Sequence, residues 1–226
     1  MARKRPAAPG VSFLVSSVAE DAEKTGIEKF LCDLLITRLE KLGVPKPSTI
    51  VSGDRPDLTL HFRNQTIGLE VTRGVYQEYV RGGKLRSRFP HLFVTTTHLV
   101  DGTRRRSDLE IEQDLIDPDP EWKDALQDLD EWQAKLTATI VSKREKLNKP
   151  NYRRFDRNWL LIHDEPAHNH HADHAVGLLS KISLPMRRFD MDFDEIFLLS
   201  GKFLFACHQG LVRFHFDETA VMYELR

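Results

Sequence analysis

Two short runs, Asp57 to Phe62 and Ile67 to Arg73, alternate apolar and polar residues with a period of two. Leu58, Leu60 and Phe62 share one face of the first run, and Ile67, Leu69 and Val71 share one face of the second. The link Arg63-Asn64-Gln65-Thr66 is short and polar, so the runs read as an antiparallel hairpin. Its register follows from the loop. A two-residue loop at Arg63-Asn64 places Asp57 opposite Glu70, and a four-residue loop from Arg63 to Thr66 places Asp57 opposite Thr72. In both cases Asp57 and Glu70 share a face, opposite or diagonal, at roughly 5–8 Å. Like charges so close destabilise a sheet, which points to a divalent cation between them. The plainer reading is the wet face of an ordinary hairpin.

The rest of the chain supplies helices and more strands. Glu20 to Leu42 reads as an amphipathic helix, with Ile27, Phe30, Leu31, Leu34, Leu35, Leu39 and Leu42 at helical spacing and Gly43 placed to stop it. Pro45 and Pro47 then break the chain. A long helix is expected from about Asp119, with Pro120 in its first turn, to about Asn148, with Pro150 beyond its end. Asn158 to Ile162 and Glu195 to Leu199 are apolar runs of the buried-strand type, and Ala172 to Ile182 between them has helical spacing. That order predicts a βαβ unit with a parallel pair. Lys202 to Cys207 and Leu211 to Phe216, around Gln209-Gly210, predict a terminal hairpin. The expected organisation is a basic tail over 1–18, then one α/β domain over 19–226. An irregular basic insertion is expected around 74–118, with a strand near Leu92 to Thr96.

Charge is distributed unevenly. The 226 residues hold 33 Lys+Arg and 34 Asp+Glu, a formal net charge of -1, which by itself argues against a polyanionic partner. The sum hides a cancellation. Arg81, Lys84, Arg86, Arg88 and Arg104-Arg105-Arg106 form a basic segment, whereas Asp108 to Glu131 is strongly acidic. Two solvated faces, or two segments that neutralise each other, are the plain readings. Two isolated cysteines, Cys32 and Cys207, make no disulfide framework and suit a reducing cytoplasmic compartment as structural thiols. No apolar run approaches the roughly 20 residues that cross a bilayer, so no membrane partner is expected.

Pro56-Asp57, followed by Ile67-Gly68-Leu69-Glu70-Val71-Thr72, resembles the PD-(D/E)xK nuclease superfamily with its restriction-endonuclease-like fold, a mixed β-sheet flanked by helices. There a helix precedes a hairpin, a Pro-Asp pair opens one strand, and an acid-x-Lys triplet lies on the next. The α-β-β-β-α-β order covers most of the chain in outline. The triplet departs from the pattern, with Thr72 where the family has Lys. The resemblance implies Mg²⁺ or Mn²⁺ held by Asp57, Glu70 and the Val71 carbonyl, with Glu28 on the first helix as a further ligand. It also implies hydrolysis of phosphodiester bonds in nucleic acid, DNA being the expected polymer. A homodimer would suit cleavage of both strands.

Some members of that family lacking the triplet lysine draw the amine from the helix behind the site. At roughly 100° per residue Lys143 falls about 20° from Trp132, inside the stripe of Leu136, Ile140 and Leu147. Lys135 and Lys146 border it. A lysine among apolar neighbours snorkels outward or meets a carboxylate or phosphate. The expected catalytic set is therefore Asp57, Glu70, Thr72 and Lys143. Glu28 borders the buried stripe of the first helix and Arg38 lies inside it, so a buried Glu–Arg pairing competes with the ligand role. Arg73, Arg86, Arg88, Arg104, Arg105 and Arg106 are the candidates to meet the phosphate backbone.

Two other readings stand beside this one. Without the triplet lysine, the chain suits an inactive member of the same fold that binds nucleic acid or protein. Alternatively His163, His168, His170, His171 and His174 organise a metal-binding loop, His170 and His174 sharing a helical face.

Overall fold

The computed structural model describes residues 11–74, 107–116, 125–164 and 172–216, together with positions 81, 82, 85 and 88. It is an α/β protein. The elements are α1 (Val11–Lys41), β1 (Thr49–Ser52), β2 (Leu58–His61), β3 (Thr66–Arg73), α2 (Asp108–Ile116), α3 (Ala125–Leu147), β4 (Arg157–Asp164), α4 (Ala172–Ile182), β5 (Glu195–Ser200), β6 (Phe203–His208) and β7 (Leu211–Phe216). Among the described residues, seven strands form one open mixed sheet in chain order, β1 to β7, in which only β3-β4 and β4-β5 are parallel pairs.

Those two crossovers decide which side each helix occupies. Both step in the same direction along the sheet, so a common right-handed connection puts α3 and α4 on one face. There Trp132, Leu136, Ile140, Leu147, Ala175, Leu179 and Ile182 pack on Leu160, Ile162, Ile196 and Leu198. The opposite face is left to α1, whose Leu31, Cys32, Leu35, Ile36 and Leu39 pack on Leu58, Leu60, Ile67, Leu69, Leu161 and Phe197. Strand β4 is buried on both sides, which explains its unbroken apolar run.

The hairpin, the βαβ unit and the terminal hairpin lie where the sequence places them. The pairs Leu58↔Leu69 and His61↔Thr66 show that the first hairpin turns on Arg63-Asn64. The terminal hairpin turns on Gln209 and Gly210, both at positive φ (46° and 86°), as a tight two-residue turn demands. Gly43, at φ 83°, stops α1. Its amide donates to the Glu40 carbonyl and the Val44 amide to the Leu39 carbonyl, closing the last turn.

Several boundaries differ. Helix α1 begins at Val11, not Glu20, so the expected tail over 1–18 is partly helical. No proline lies between Val11 and Lys41 to interrupt a helix. Strand β1 was not foreseen. It is four residues long, mostly exposed, and holds its place by pairing with β2. Helix α2 lies inside the expected irregular insertion around 74–118. Ser107 and Glu110 close a capping box: the Ser107 hydroxyl accepts from the Glu110 amide at 3.3 Å, and Glu110 accepts from the Ser107 amide at 2.7 Å. Ile111 and Leu115 then bury one turn apart against Leu85. Cys32, expected outside the main stripe, is fully buried, and Leu42, expected within it, is exposed. A helix lying on a broad sheet buries a wider arc than a narrow stripe suggests. Burial pushes the thiols of Cys32 and Cys207 up to about 12, in keeping with structural thiols. The expected strand near Leu92 to Thr96 and the first turn of the long helix, Asp119 to Asp124, lie outside the described residues.

Candidate functional site

The register fixes the first contact. Extending Leu58↔Leu69 by one residue brings Asp57 level with Glu70, on the face that α3 covers. This side is not wet: Glu70 is fully buried and Asp57 nearly so. The small Gly68 lets Phe155 and Pro56 close over the strand there, since a Cβ would meet them at 2.8 and 3.1 Å. Asp57 is further pinned because its Oδ2 accepts a hydrogen bond from the Val71 amide at 2.9 Å.

Lys143 reaches this pair from α3. Its Nζ donates to Glu70 Oε2 at 3.0 Å and to the Val71 carbonyl at 3.3 Å, and lies 3.8 Å from Asp57 Oδ2. The stripe position places a lysine against the sheet, and the structure puts its ammonium among three oxygens, two from β3 and one from Asp57 just before β2. Lys146 joins it, donating to Glu70 Oε2 at 2.8 Å with Asp57 Oδ1 at 3.6 Å. Sequence reasoning left Lys146 at the border of the stripe. Its position three residues from Lys143, and the reach of a four-carbon stem, are the signals that could have found it.

Glu28 sits at the margin of the cluster. It is nearly buried and pairs with Lys24 at 3.4 Å. Burial pushes its carboxyl up, the Asp57 carboxylate pushes the same way, and Lys24 and Lys143 oppose them. The competing Glu–Arg pairing is not formed between Glu28 and Arg38. Arg38 is buried and donates instead to the Gly201 carbonyl at 2.7 Å and the Phe203 carbonyl at 3.0 Å, tying α1 to the β5-β6 turn. Thr72, half-buried, shares the Glu70 face one residue pair further along β3.

Tyr152 is a member the sequence did not announce. Burial, and then the neighbouring Glu70 and Asp57 carboxylates, push its phenol upward, so it stays protonated and can only donate toward them. The hydroxyl lies beside Glu70 without closing a hydrogen bond of good geometry: neither it nor Glu70 Oε1 has a partner among the described residues. The site therefore retains one buried carboxylate oxygen with unused acceptor capacity.

The remaining candidates scatter. Arg73 is half-buried at the end of β3, level with His163. Arg88 pairs with Glu112 at 2.7 Å, and Arg81 pairs with Asp108. At these positions the basic and acidic stretches neutralise each other. Arg86, Arg104, Arg105 and Arg106 lie outside the described residues, as do His168, His170 and His171 and the side chain of His174.

His163 is described, and its ring is buried with Nδ1 unpartnered. Burial first, then Arg73 and Arg38, lower its pKa from 6.5 to about 4. The folded protein thus refuses a proton that the unfolded chain accepts near 6.5. Stability is fully present above that pH and is lost as pH falls toward 4. Between pH 7 and pH 5 this one residue is expected to remove about 2 kcal/mol. Urea unfolding of wild type and His163→Leu at both pH values checks it, because equal losses in the two proteins would take the effect away from His163.

Among the described residues no group of three or more His, Cys, Asp or Glu side chains is arranged to hold a metal ion, and no helix is long and apolar enough to cross a membrane. The chain matches no protein-family model, no curated protein and no solved structure.

Proposed function

We propose that the protein is a metal-dependent phosphodiester hydrolase of the PD-(D/E)xK type acting on nucleic acid, DNA being the expected substrate. One observation carries the reading: Asp57 Oδ2, Glu70 Oε2 and the Val71 carbonyl converge on a single cationic atom, Lys143 Nζ, supplied by a helix 73 residues away. The order α1-β1-β2-β3, then helices, then β4 supports the restriction-endonuclease-like assignment.

The donor set suits the implied metal. It consists of hard oxygens, it already surrounds a positive charge, and Glu70 Oε1 has acceptor capacity to spare. Asp57, Glu70 and the Val71 carbonyl would hold Mg²⁺ or Mn²⁺, with Glu28 at the margin. When bound, the ion supplies Lewis acidity to the phosphoryl group and lowers the pKa of a coordinated water. The chain's own residues do the rest. Lys143 and Lys146 bring two positive charges to the phosphate as negative charge develops there, replacing the triplet lysine that Thr72 does not provide. Thr72 offers a hydroxyl donor on the same face. Tyr152, held protonated, stands beside the Glu70 carboxylate.

A second reading has its own observation. Two lysines facing two carboxylates already balance in charge, as they would in an inactive member of the fold that uses the cluster as a structural ion pair.

Incubation of supercoiled plasmid with purified protein separates the two. Nicking that requires Mg²⁺ or Mn²⁺, stops with EDTA, and falls about 100-fold in Lys143→Met supports the hydrolase. Absence of nicking with both metals, together with no calorimetric Mg²⁺ binding, supports the structural ion pair.

A further inference from the structure

Among the described residues, one face of the sheet is short of helical cover. Both parallel crossovers send their helices to the same side, and α4 there packs on β6 and β7. On the other side α1 packs across β2 to β5 and reaches Leu204 of β6. Strand β7 turns Leu211, Arg213 and His215 to this face, opposite His208, Ala206 and Leu204 of β6.

The result is a cavity of about 930 Å³ between the end of α1, the Arg63-Asn64 turn and β7. Its floor is Phe197, Leu204 and Ala206, and exposed Leu42 and Leu211 add to its apolar lining. The polar lining is cationic. Among the described residues, Lys46, Arg63, Arg157 and Arg213 line it, with Glu195 the only acid and two histidines. Glu195 is claimed by His208 at 3.3 Å, and Lys46 has Glu40 at 3.8 Å. Arg63, Arg157 and Arg213 have no ion pair among the described residues. The cavity is on the opposite side of the sheet from the Asp57 and Glu70 side chains, so it is independent of the proposed hydrolase site.

We infer that this cavity is a binding site for a small amphiphilic anion, one with an apolar ring or chain and a single carboxylate, sulfonate or phosphate head. Size and charge decide the class. The volume falls within the roughly 300–1,000 Å³ of small-molecule sites, and such sites are mostly apolar with a few placed polar groups. An apolar floor takes the body. Arg157 and Arg213, which act on the Glu195 carboxylate but form no ion pair among the described residues, take the head, and arginine binds such oxyanions in a bidentate fashion. Glu195 answers part of that positive charge, and an anionic head answers more of it than a neutral ligand can.

The test uses 1-anilinonaphthalene-8-sulfonate as the probe with the full chain at neutral pH. One saturable site is expected, weakened at least 10-fold in the exposed double variant Arg157→Glu/Arg213→Glu and lost in Ala206→Trp, which fills the floor. The uncharged analogue N-phenyl-1-naphthylamine is expected to bind at least 10-fold more weakly than the sulfonate. Cooperative melting shows that each variant is folded, and if Ala206→Trp does not fold, the arginine pair still decides. No saturable binding, equal affinity in the arginine variant, or equal affinity for the uncharged analogue overturns the inference. So does a dimer in gel filtration that Leu211→Glu dissociates, which would give the cavity to a second copy of the chain.

Discussion

On the proposed hydrolase reading, Asp57→Asn is expected to lower metal-dependent plasmid nicking by about 1,000-fold or more while leaving the protein folded, because metal-assisted stabilisation of a phosphoryl transition state is worth several kcal/mol. The change keeps the shape and the acceptor but leaves Lys143 and Lys146 facing Glu70 alone, so part of the folding stability goes with the charge. Asp57 Oδ2 accepts from the Val71 amide, and an asparagine carbonyl oxygen can accept the same bond. What it cannot do is contribute a second negative charge beside Glu70, or accept a metal ion with comparable affinity. The measurement is the initial nicking rate against Mg²⁺ concentration, with a thermal melt of the same preparation. A rate within a factor of three of wild type would place the chemistry elsewhere on the molecule.

Glu70→Leu is expected to cost about 3–5 kcal/mol of folding stability, the usual penalty for removing one partner of a buried ion pair. Glu70 is fully buried and is the shared acceptor of both ammonium groups, so its loss leaves two positive charges facing the single Asp57 carboxylate. The double variant Glu70→Leu/Lys146→Met should recover most of that loss, since one lysine then faces one acid. Urea unfolding of the two variants and the wild type measures both numbers. A single variant within about 1 kcal/mol of wild type would mean that the lysines reach water easily and the cluster is not a desolvated one.

Legibility from the sequence followed the range of the interactions. The hairpin could be read because period two and a short polar link are local. Of its two possible registers the structure takes the one that turns on Arg63-Asn64. Lys143 could be read because an α-helical period is local and its angular position breaks an apolar stripe. The burial of Glu70 could not, because it depends on α3 folding across from more than seventy residues away. Lys146 escaped for a related reason: helical angle locates a Cα, whereas a lysine delivers its charge several ångströms from it. Tyr152 sits beyond the end of α3, where no periodicity applies. Strand β1 is held by pairing with β2 and not by its own residues, and in α2 the two apolar residues that matter, Ile111 and Leu115, stand in a run dominated by charge.

The strand order carries a further consequence, for synthesis. Each strand's neighbour in space is the next strand in the chain, so the sheet can grow one strand at a time as the polypeptide leaves the ribosome. The β2-β3 hairpin can close as soon as Arg73 has emerged, but Lys146 follows Glu70 by 76 residues. During that interval Asp57 and Glu70 face each other with neither α3 lysine yet made. Until α3 arrives, the two carboxylates of the nascent hairpin stay open to water, and their burial waits on the lysines that will meet them.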